Sequence, residues 1–409
     1  MDNVTHALAG GLIAGAGVAF TDQRVAQFGR TAAILGVVAA EFPDVDLVYV
    51  GRTLDGGNLA YLLHHRGHTH TLLFALISAI VLWALALAVV RECRAAPFRW
   101  SLLVIALAGT CSHLLLDYTN NYGVHPFWPI ESSWYYGDAV FIVEPWLWIM
   151  ALPVIWYFTR LSAVRVASAL AFAAILIAAW SITLVGRDVA LVLTVGALLW
   201  AVAVRAARAD RRWLYGVIGW FAVEGMFFVA SMRARVEVRS VTERTTLRDV
   251  SLTPSPGNPL CYRALAVEVV GAHYQVTAAS VAPFPSLRSA LTCAGLAAVQ
   301  VDDSVIVSAS TPLTRRSSPA VHWDAQWVAP RADLVQLVKQ NCEIAAALHF
   351  MRTPFWRVEN DGRIVLTDLR FGDANGGFAA ITTPQRRADC MGTVPGWRPP
   401  RADILTDAN

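Results

Sequence analysis

Histidine and aspartate residues cluster in the most apolar third of this chain, where charged and imidazole side chains are costly. Seven of the ten histidines precede residue 126. With nearby aspartates they form four groups, in the segments MDNVTH, FPDVDL, HHRGHTH and HLLLD. Imidazole nitrogens and carboxylate oxygens are together the usual ligands of divalent transition metals. The first chemistry that these residues suggest is therefore the binding of a metal ion.

The spacing within two of these groups favours a shared ligand site. His113 and Asp117 are four positions apart, so on a helix both side chains project from one face and can share an ion. Asp44 and Asp46 follow Pro43, which stops a preceding helix, and in an extended segment they point to the same side. One of these two aspartates is expected to bind the metal, with Asp46 preferred.

The chemistry of the ligands narrows the ion and the reaction. Nitrogen and oxygen ligands without cysteine suit Zn²⁺, or Mn²⁺ or Fe²⁺, better than Ca²⁺ or Mg²⁺. The set is large enough for one or two ions, which would lower the pKa of bound water and generate hydroxide near neutral pH. Arg66 can then stabilise a developing anion such as a phosphoryl oxygen.

The elements that position these groups are predicted to lie in a membrane. Of 409 residues, 56% are hydrophobic and 15% are charged, and the net charge of +3 is too balanced to indicate nucleic acid as a partner. Eight apolar runs predict about eight spanning or re-entrant helices. These runs are Val4–Phe20, Thr31–Val50, Thr71–Val90, Ser101–Tyr118, Ala139–Phe158, Val166–Val185, Val189–Val204 and Trp213–Met232.

Charges in the connecting loops predict the orientation of the spans. Alternate loops, with the sequences RVAQFGR, RECRAAPFR, TRLSAVR and RAARADRR, are short and basic, and the positive-inside rule places them in the cytoplasm. The chain after Met232 then lies outside the cytoplasm. All four groups of histidine and aspartate fall at the outer ends of the spans, so we expect them to meet at one membrane face.

Residues 233–409 differ in composition and predict a small extracytoplasmic α+β domain after the membrane domain of residues 1–232. Segments such as ALAVEVVG and GRIVLTDLRF predict strands, and LVQLVKQNCEIAAALHFM predicts one amphipathic helix. Four cysteines lie in this domain and allow up to two disulfides, whose pairing the sequence leaves open. They are Cys261, Cys293, Cys342 and Cys390.

The ordered motifs MDNVTHALAG, PDVD, HHRGHTHTL and HLLLDYTNNYGVHPFWP resemble the bacterial membrane-bound metal-dependent hydrolase family, whose best-known branch is the LexA-regulated inner-membrane hydrolases. The resemblance covers about residues 1–150 and implies a multi-pass protein of the bacterial inner membrane. It implies a site made of His6, Asp44, Asp46, His65, Arg66, His70, His113 and Asp117. Glu144, before Pro145, corresponds to a family aspartate. The family's distant similarity to zinc-dependent phospholipase C implies a phosphoester substrate.

The sequence thus predicts a membrane-bound metal-dependent hydrolase that cleaves a phosphoester in a lipid or lipid-linked, amphiphilic substrate at the outer membrane face. Arg66 and Asp44 are the predicted catalytic residues. The predicted metal ligands are His6, Asp46, His65, His70, His113, Asp117 and Glu144. The alternatives are a membrane transporter, or a metal-binding regulatory membrane protein without hydrolytic activity. His125, Asp138 and Glu224 are interpreted as structural.

Overall fold

The structure is a computed structural model that describes residues 1–21, 26–50, 57–294, 315, 317–373, 376–390 and 394–405. The first 240 residues are mainly helical. The helices of this part are α1 (Asn3–Ala19), α2 (Ala26–Glu41), α3 (Asp46–Val50), α4 (Gly57–His64), α5 (Leu72–Val89), α6 (Phe98–Thr119), α7 (Pro145–Phe158), α8 (Ser162–Ser181), α9 (Arg187–Ala206) and α10 (Arg212–Ser240). Short 3-10 helices, Phe42–Val45 and His68–His70, precede α3 and α5.

Five helices in the described part of the chain are long and apolar enough to cross a membrane. They are α5, α6, α8, α9 and α10, the last together with the short turn before it. Two more apolar helices, α1 and α7, are shorter. The helical, membrane-type character of this half is confirmed. Each of the eight predicted runs contains helix, but three of them fall short of the length or composition of a full span. The first basic loop lies partly outside the described residues.

Small residues bring α1, α2 and α6 close together. A Cβ atom added to Gly10 of α1 would lie 2.3 Å from the carbonyl oxygen of Gly36 in α2. On Gly109 of α6 it would lie 2.8 Å from the Cβ atom of Ala39. Only glycine permits such an approach of two backbones. This close packing sets the end of α2 beside His113, one turn further along α6.

Local capping fixes where the site helices begin. The side chain of Asp2 accepts a hydrogen bond from the backbone N–H of Thr5 and so caps α1, and Thr71 caps α5 in the same way. Pro145 occupies the first turn of α7, where its missing N–H costs nothing, and the Glu144 side chain accepts from the N–H of Trp146.

The C-terminal part is an antiparallel sheet domain, as predicted in outline. Strands β1 (Leu247–Ser255), β2 (Asn258–Val270), β3 (His273–Val281) and β4 (Val321–Pro330) form one sheet in sequential order. A second sheet contains β5 (Pro354–Val358), β6 (Arg363–Asp368) and β9 (Ile381–Pro384), and a short ribbon joins β7 (Gly372–Asp373) to β8 (Gly376–Gly377). The remaining helices described are α11 (Ala290–Cys293), α12 (Arg331–Gln340), α13 (Cys342–Ala347) and α14 (Ala402–Leu405).

Two features of this domain refine the sequence prediction. The single predicted helix over LVQLVKQNCEIAAALHFM is wrong, because Asn341 leaves the helical conformation and its side chain caps α13 by accepting from the N–H groups of Glu343 and Ile344. The four cysteines pair as Cys261–Cys293 and Cys342–Cys390.

The sheet domain packs directly on the helical half. One apolar core runs without interruption from α1, α7, α9 and α10 into β1, β2 and β3. The hydroxyl of Tyr262 in β2 donates to the carbonyl oxygens of Ala139 and Phe227 at 3.3 and 3.0 Å. A second core joins Leu62 and Tyr122 to the side chains of the sheet domain. The domain therefore lies against the end of the helices that carries the histidine motifs.

Candidate metal centre

Four side chains from three separate segments converge on one point. Asp44, His70, His113 and Asp117 each offer one ligand atom, and these atoms all lie within 4.8 Å of one another. The Nε2 atoms of His70 and His113 are 3.0 Å apart. Asp44 Oδ1 lies 3.4 Å from each of them, and Asp117 Oδ2 lies 3.0 and 3.4 Å from them.

The hydrogen bonds of His113 fix where its proton sits. Its Nδ1 atom lies 2.6 Å from the carbonyl oxygen of Ala40 at the end of α2. A carbonyl oxygen can only accept, so Nδ1 carries the hydrogen and donates it. The Nε2 atom of a neutral His113 ring therefore presents a lone pair to the cluster.

A similar chain of hydrogen bonds orients His70. The hydroxyl of Thr69 donates its single hydrogen to Asp46 Oδ2 at 2.9 Å. The hydroxyl oxygen of Thr69 lies 3.0 Å from His70 Nδ1 and, with its hydrogen used, can only accept. His70 Nδ1 therefore donates to it. Asp46 Oδ2 is also 3.6 Å from this nitrogen. His70 Nε2 therefore also presents a lone pair, directly toward that of His113.

Two facing lone pairs and two carboxylate oxygens make an acceptor-only cluster, which fits a cation. In a tetrahedral zinc site the metal–ligand distances are about 2.0–2.2 Å, so neighbouring ligand atoms are about 3.3–3.6 Å apart. The five separations that involve an imidazole nitrogen are 3.0–3.4 Å, close to those values. Each imidazole also has an outer partner. For His113 it is the Ala40 carbonyl oxygen, and for His70 it is the Thr69 hydroxyl, which is itself bound to Asp46. Such outer partners are typical of metal-binding histidines.

Asp46 and His65 lie beside this group rather than in it. Together with Asp44 they form a second possible set of three ligands. Asp46 is already occupied, however, by protein donors. Its Oδ2 accepts from the backbone N–H of Arg66 at 3.0 Å and from Thr69, and its Oδ1 faces His65 Nδ1 at 3.2 Å. The segment 42–50 that carries both aspartates is helical, so the predicted extended conformation is wrong.

His6 and Arg66 hold the opposite face of Asp117. The His6 ring stacks on His113 with 3.7 Å between centroids, and its Nε2 is 3.4 Å from Asp117 Oδ1. Arg66 Nη2 lies 2.7 Å from the same oxygen, which the amino group of Met1 also contacts. Asp117 thus turns its Oδ1 to Arg66, the Met1 amino group and His6, and its Oδ2 to the two imidazoles of the cluster.

Arg66 is fixed in place by several contacts. Its φ of 60° lies in the left-handed region, which is unusual for a residue other than glycine and typical of a tight turn at a functional site. The guanidinium lies 4.4 Å from the centre of the Tyr122 ring, and its Nη1 donates to Asn120 Oδ1 at 3.2 Å. The side chain is 3% exposed. It neutralises Asp117 in this arrangement.

Glu144 is not brought to the cluster. Its carboxylate accepts from the backbone N–H of Gly257 at 3.1 Å and from that of Trp146 at 3.2 Å. The indole of Trp146 donates to the carbonyl oxygen of Gly257, so both backbone groups of this turn residue are held. Complete burial raises the pKa of Glu144 to about 8. The structure therefore places Glu144 at the junction with the sheet domain.

The other polar residues singled out by the sequence have mainly structural contacts. His125 is buried between Trp134 and Trp397, with ring centroids 3.7 and 4.3 Å away, and burial lowers its pKa to about 3. Asp138 pairs with Arg235 and Arg352 at 2.6 and 2.7 Å.

Sequence reasoning missed several contributors to the site. Thr69, Asn120 and Tyr122 lie within or next to the recognised motifs, and their polar groups in an apolar setting were a usable signal. The role of the Ala40 carbonyl oxygen had no signal in the sequence, because any residue supplies a backbone acceptor. Nor did Trp397, whose indole donates to the carbonyl oxygen of Leu63 from 334 positions away.

Comparisons with known proteins give a relative and a family. An uncharacterized protein of Bacillus subtilis (strain 168), YfhP, is 27% identical over 168 residues, which cover 38% of this chain and 46% of the relative. The chain thus spans about half the length of this curated relative. No solved structure matches the chain significantly. Residues 1–190 match the family described as YdjM inner membrane protein, so this part of the chain is similar to a family of inner membrane proteins.

Proposed function

We propose that this protein is a membrane-bound metal-dependent hydrolase that cleaves a phosphoester bond in a lipid or lipid-linked substrate. The observation that carries the proposal is the pair of imidazole Nε2 atoms 3.0 Å apart, flanked by two carboxylates and without a hydrogen to share while both rings are neutral. Burial of such an acceptor cluster in an apolar helical bundle is costly unless a cation compensates it.

In this proposal the ligands are Asp44, His70, His113 and Asp117. A bound Zn²⁺, the ion that best suits this donor set, would supply a hydroxide near neutral pH on taking water as a fifth ligand. Asp46 orients His70 through Thr69, and Arg66 neutralises one oxygen of Asp117 so that the other stays directed at the ligand group. Asp44 thus takes the ligand role that the sequence predicted for Asp46, and Asp46 becomes an orienting partner of His70.

The outer side of the inner membrane is the proposed location of the site and of the sheet domain. Two disulfides in the sheet domain support an oxidising compartment. The basic loops at the other ends of the spans support the same orientation. A hydrolytic site there would meet the outer leaflet, where lipid and lipid-linked phosphoesters present their polar groups.

Elemental analysis and hydrolysis assays on the same preparations test the proposal. We expect one transition-metal ion per chain and hydrolysis of dispersed phosphodiester and phosphomonoester lipids. His113→Ala should lose both the metal and the activity, whereas His273→Ala, at an exposed position of β3, should keep both. A chain that carries no metal after purification and reloading would overturn the proposal.

The same experiment separates the alternatives. Stoichiometric metal with no hydrolysis of any lipid or soluble ester would favour a metal-binding regulatory protein. A transporter needs polar groups along a path across the bilayer. The buried Glu224 carboxylate in α10, without a hydrogen-bond partner among the described residues, is the one observation that favours it. Metal uptake into vesicles that depends on Glu224 would support that alternative.

A further inference from the structure

The ligand group can be approached from two sides, which are covered very differently. His6, Asp46, His70, His113 and Asp117 are fully buried. The Asp44 side chain is 11% exposed and that of His65 is 9% exposed. These two residues mark the only described places where the cluster approaches the surface, and they lie in different segments, so the contacts around each decide where a substrate can enter.

The His65 side is closed by aromatic rings. His65 packs against Tyr61 and Tyr122, with ring centroids 4.8 and 5.8 Å away. From the sheet domain, Phe378 packs on both tyrosines at 5.4 and 6.4 Å. Next to this patch the buried Trp397 packs against His68 and His125. A polar substrate from the water phase would have to displace several packed rings on this side.

The Asp44 side is closed by one exposed amide. Asp44 Oδ1 faces the two imidazoles, and its Oδ2 accepts from Asn3 Nδ2 at 3.1 Å. The same Asn3 amide donates to Glu41 Oε2 at 3.1 Å. Asn3 is exposed, at the first turn of α1. A small change in one surface side chain would therefore uncover a ligand of the centre.

The surface around Asn3 is apolar rather than polar. Val4 is 45% exposed, Val38 of α2 is 41%, and Val48 of α3 is 63%. Val45, next to Asp44, is 37% exposed. In a protein with long apolar helices, a contiguous exposed apolar surface is the surface that contacts lipid. A cleft opening to water would be bordered by many charged residues, whereas among the described residues this edge carries Glu41 and Asp2, and the Asp2 side chain is engaged in capping α1.

We propose that the centre opens sideways into the bilayer, through the edge formed by Asn3, Glu41 and Asp44, and that it takes its substrate from the lipid phase. The inference rests on the proposed function and specifies its substrate class as the ester of a membrane lipid. The apolar chains would lie along Val4, Val38 and Val48, while the ester group passes Asn3 to reach Asp44. Asn3 is then a positioning residue at the opening, and the sheet domain excludes water from the other side.

Removal of Zn²⁺ by two chelators tests the route without any substrate. The purified full-length protein is loaded with Zn²⁺ and reconstituted in phosphatidylcholine vesicles. EDTA carries several charges and stays in water, whereas 1,10-phenanthroline is uncharged and partitions into lipid. We expect EDTA to act at least about tenfold more slowly, because a polyanion cannot enter hydrocarbon.

Two variants locate the opening. Asn3→Trp should slow removal by 1,10-phenanthroline about fivefold or more, since it fills the edge beside Asp44. Phe378→Ala, at a position that is 45% exposed in the sheet domain, should change neither rate by more than about twofold, because removing one partly exposed ring leaves the buried rings of this side in place. Faster removal by EDTA in Phe378→Ala, with no effect of Asn3→Trp, would overturn the inference and place the entrance at the sheet domain.

The failure of the route and the failure of the metal centre give different results. If the wild-type protein retains no Zn²⁺ before the chelator is added, the metal centre itself is contradicted, and so is the proposed entrance to it. A nitroxide at Asn3→Cys, in a Cys111→Ser background, is a second measurement that needs no metal. The spin relaxation of the nitroxide is measured with dissolved oxygen and with a water-soluble nickel chelate as collision partners. A larger effect of oxygen supports the lateral opening, and a larger effect of the nickel chelate contradicts it.

Discussion

His70 and His113 point the same ring nitrogen at each other across 3.0 Å, although 43 positions separate them in the chain. Each ring uses its other nitrogen as a donor, to Thr69 in one case and to the Ala40 carbonyl in the other. Two arrangements can stabilise such a pair, a bound cation or an additional proton on one imidazole. In the second arrangement the protonated ring would donate a hydrogen bond to Asp44 or Asp117. The side chains occupy the same positions in both arrangements, so metal content is what distinguishes them.

Replacement of Asp46 distinguishes a ligand from an orienting partner. Asp46→Asn should keep one metal ion per chain at saturating Zn²⁺ and lower the affinity about 10- to 100-fold, as for other outer partners of metal-binding histidines. Competition with a fluorescent chelator measures the affinity. Asp361→Asn, at an exposed pair with Arg363, is the matched control. Two ions in the wild type and one in Asp46→Asn would instead make Asp46 a ligand of a second ion.

The sequence predicted the members of the site better than their roles. Imidazoles and carboxylates are conspicuous in apolar segments, so eight of the nine predicted site residues are found together. Their roles depend on which oxygen or nitrogen faces which partner. That is set by the 3-10 helix before Asp46, the left-handed turn at Arg66 and the approach of α2 to α6. Glu144 was misplaced because a buried carboxylate can be satisfied equally by backbone N–H groups.

The long-range contacts of the sheet domain lay beyond sequence reasoning. Strand patterns such as ALAVEVVG show that a sheet forms, and they contain nothing about what the sheet covers. Docking is decided by single residues such as Gly257, which Glu144 and Trp146 hold by its two backbone groups, and Trp397, which reaches Leu63. Such contacts depend on complementary shape, for which one sequence carries no signal.

The turn at Gly257 gives a test of this docking. Its φ of +68° disfavours any side chain, and an added Cβ atom would lie 2.9 Å from Leu193 Cδ1 in α9. Gly257→Ala should therefore lower the free energy of unfolding by about 1–2 kcal/mol, because a residue with a side chain then lies in the left-handed region, and by about a further 1–3 kcal/mol through overpacking. Gly271→Ala, at φ +58° with open space around it, should show the first cost alone. Melting in detergent, followed by tryptophan fluorescence, measures both, and equal losses would contradict the docking role.

The orientation of the chain can be checked by reporter fusions. An alkaline phosphatase fused after Asn409 should be active and a fluorescent reporter that needs the cytoplasm should be dark, because the sheet domain is proposed to lie outside. The two disulfides should form in the same cells, which a thiol-alkylation mass shift detects. A phosphatase that is active only when fused within the basic loop around Arg208 would reverse the proposed orientation.

Arg352 provides the last prediction, a stability that depends on pH. It lies 2.7 Å from Asp138 Oδ1 and 2.6 Å from Asp249 Oδ2, and so joins the helical half to the sheet domain. Burial would raise the pKa of Asp249, but the Arg352 guanidinium outweighs this and holds the pKa below its usual value. The stabilisation is therefore complete above the unfolded pKa of about 3.9 and is lost as the pH falls through the lower folded value.

Arg352→Met should destabilise the protein by about 3–5 kcal/mol at neutral pH, since it removes the closest cationic partner of Asp249 and one of the two arginine partners of the buried Asp138. The deficit relative to the wild type should shrink between pH 7 and pH 3, because Asp249 can then take up a proton in the variant. Arg363→Met, which removes a pair whose arginine is 55% exposed, should cost about 0–1 kcal/mol. Melting temperatures across this pH range measure the effect, and a deficit of constant size would show that packing, rather than charge, accounts for the role of Arg352.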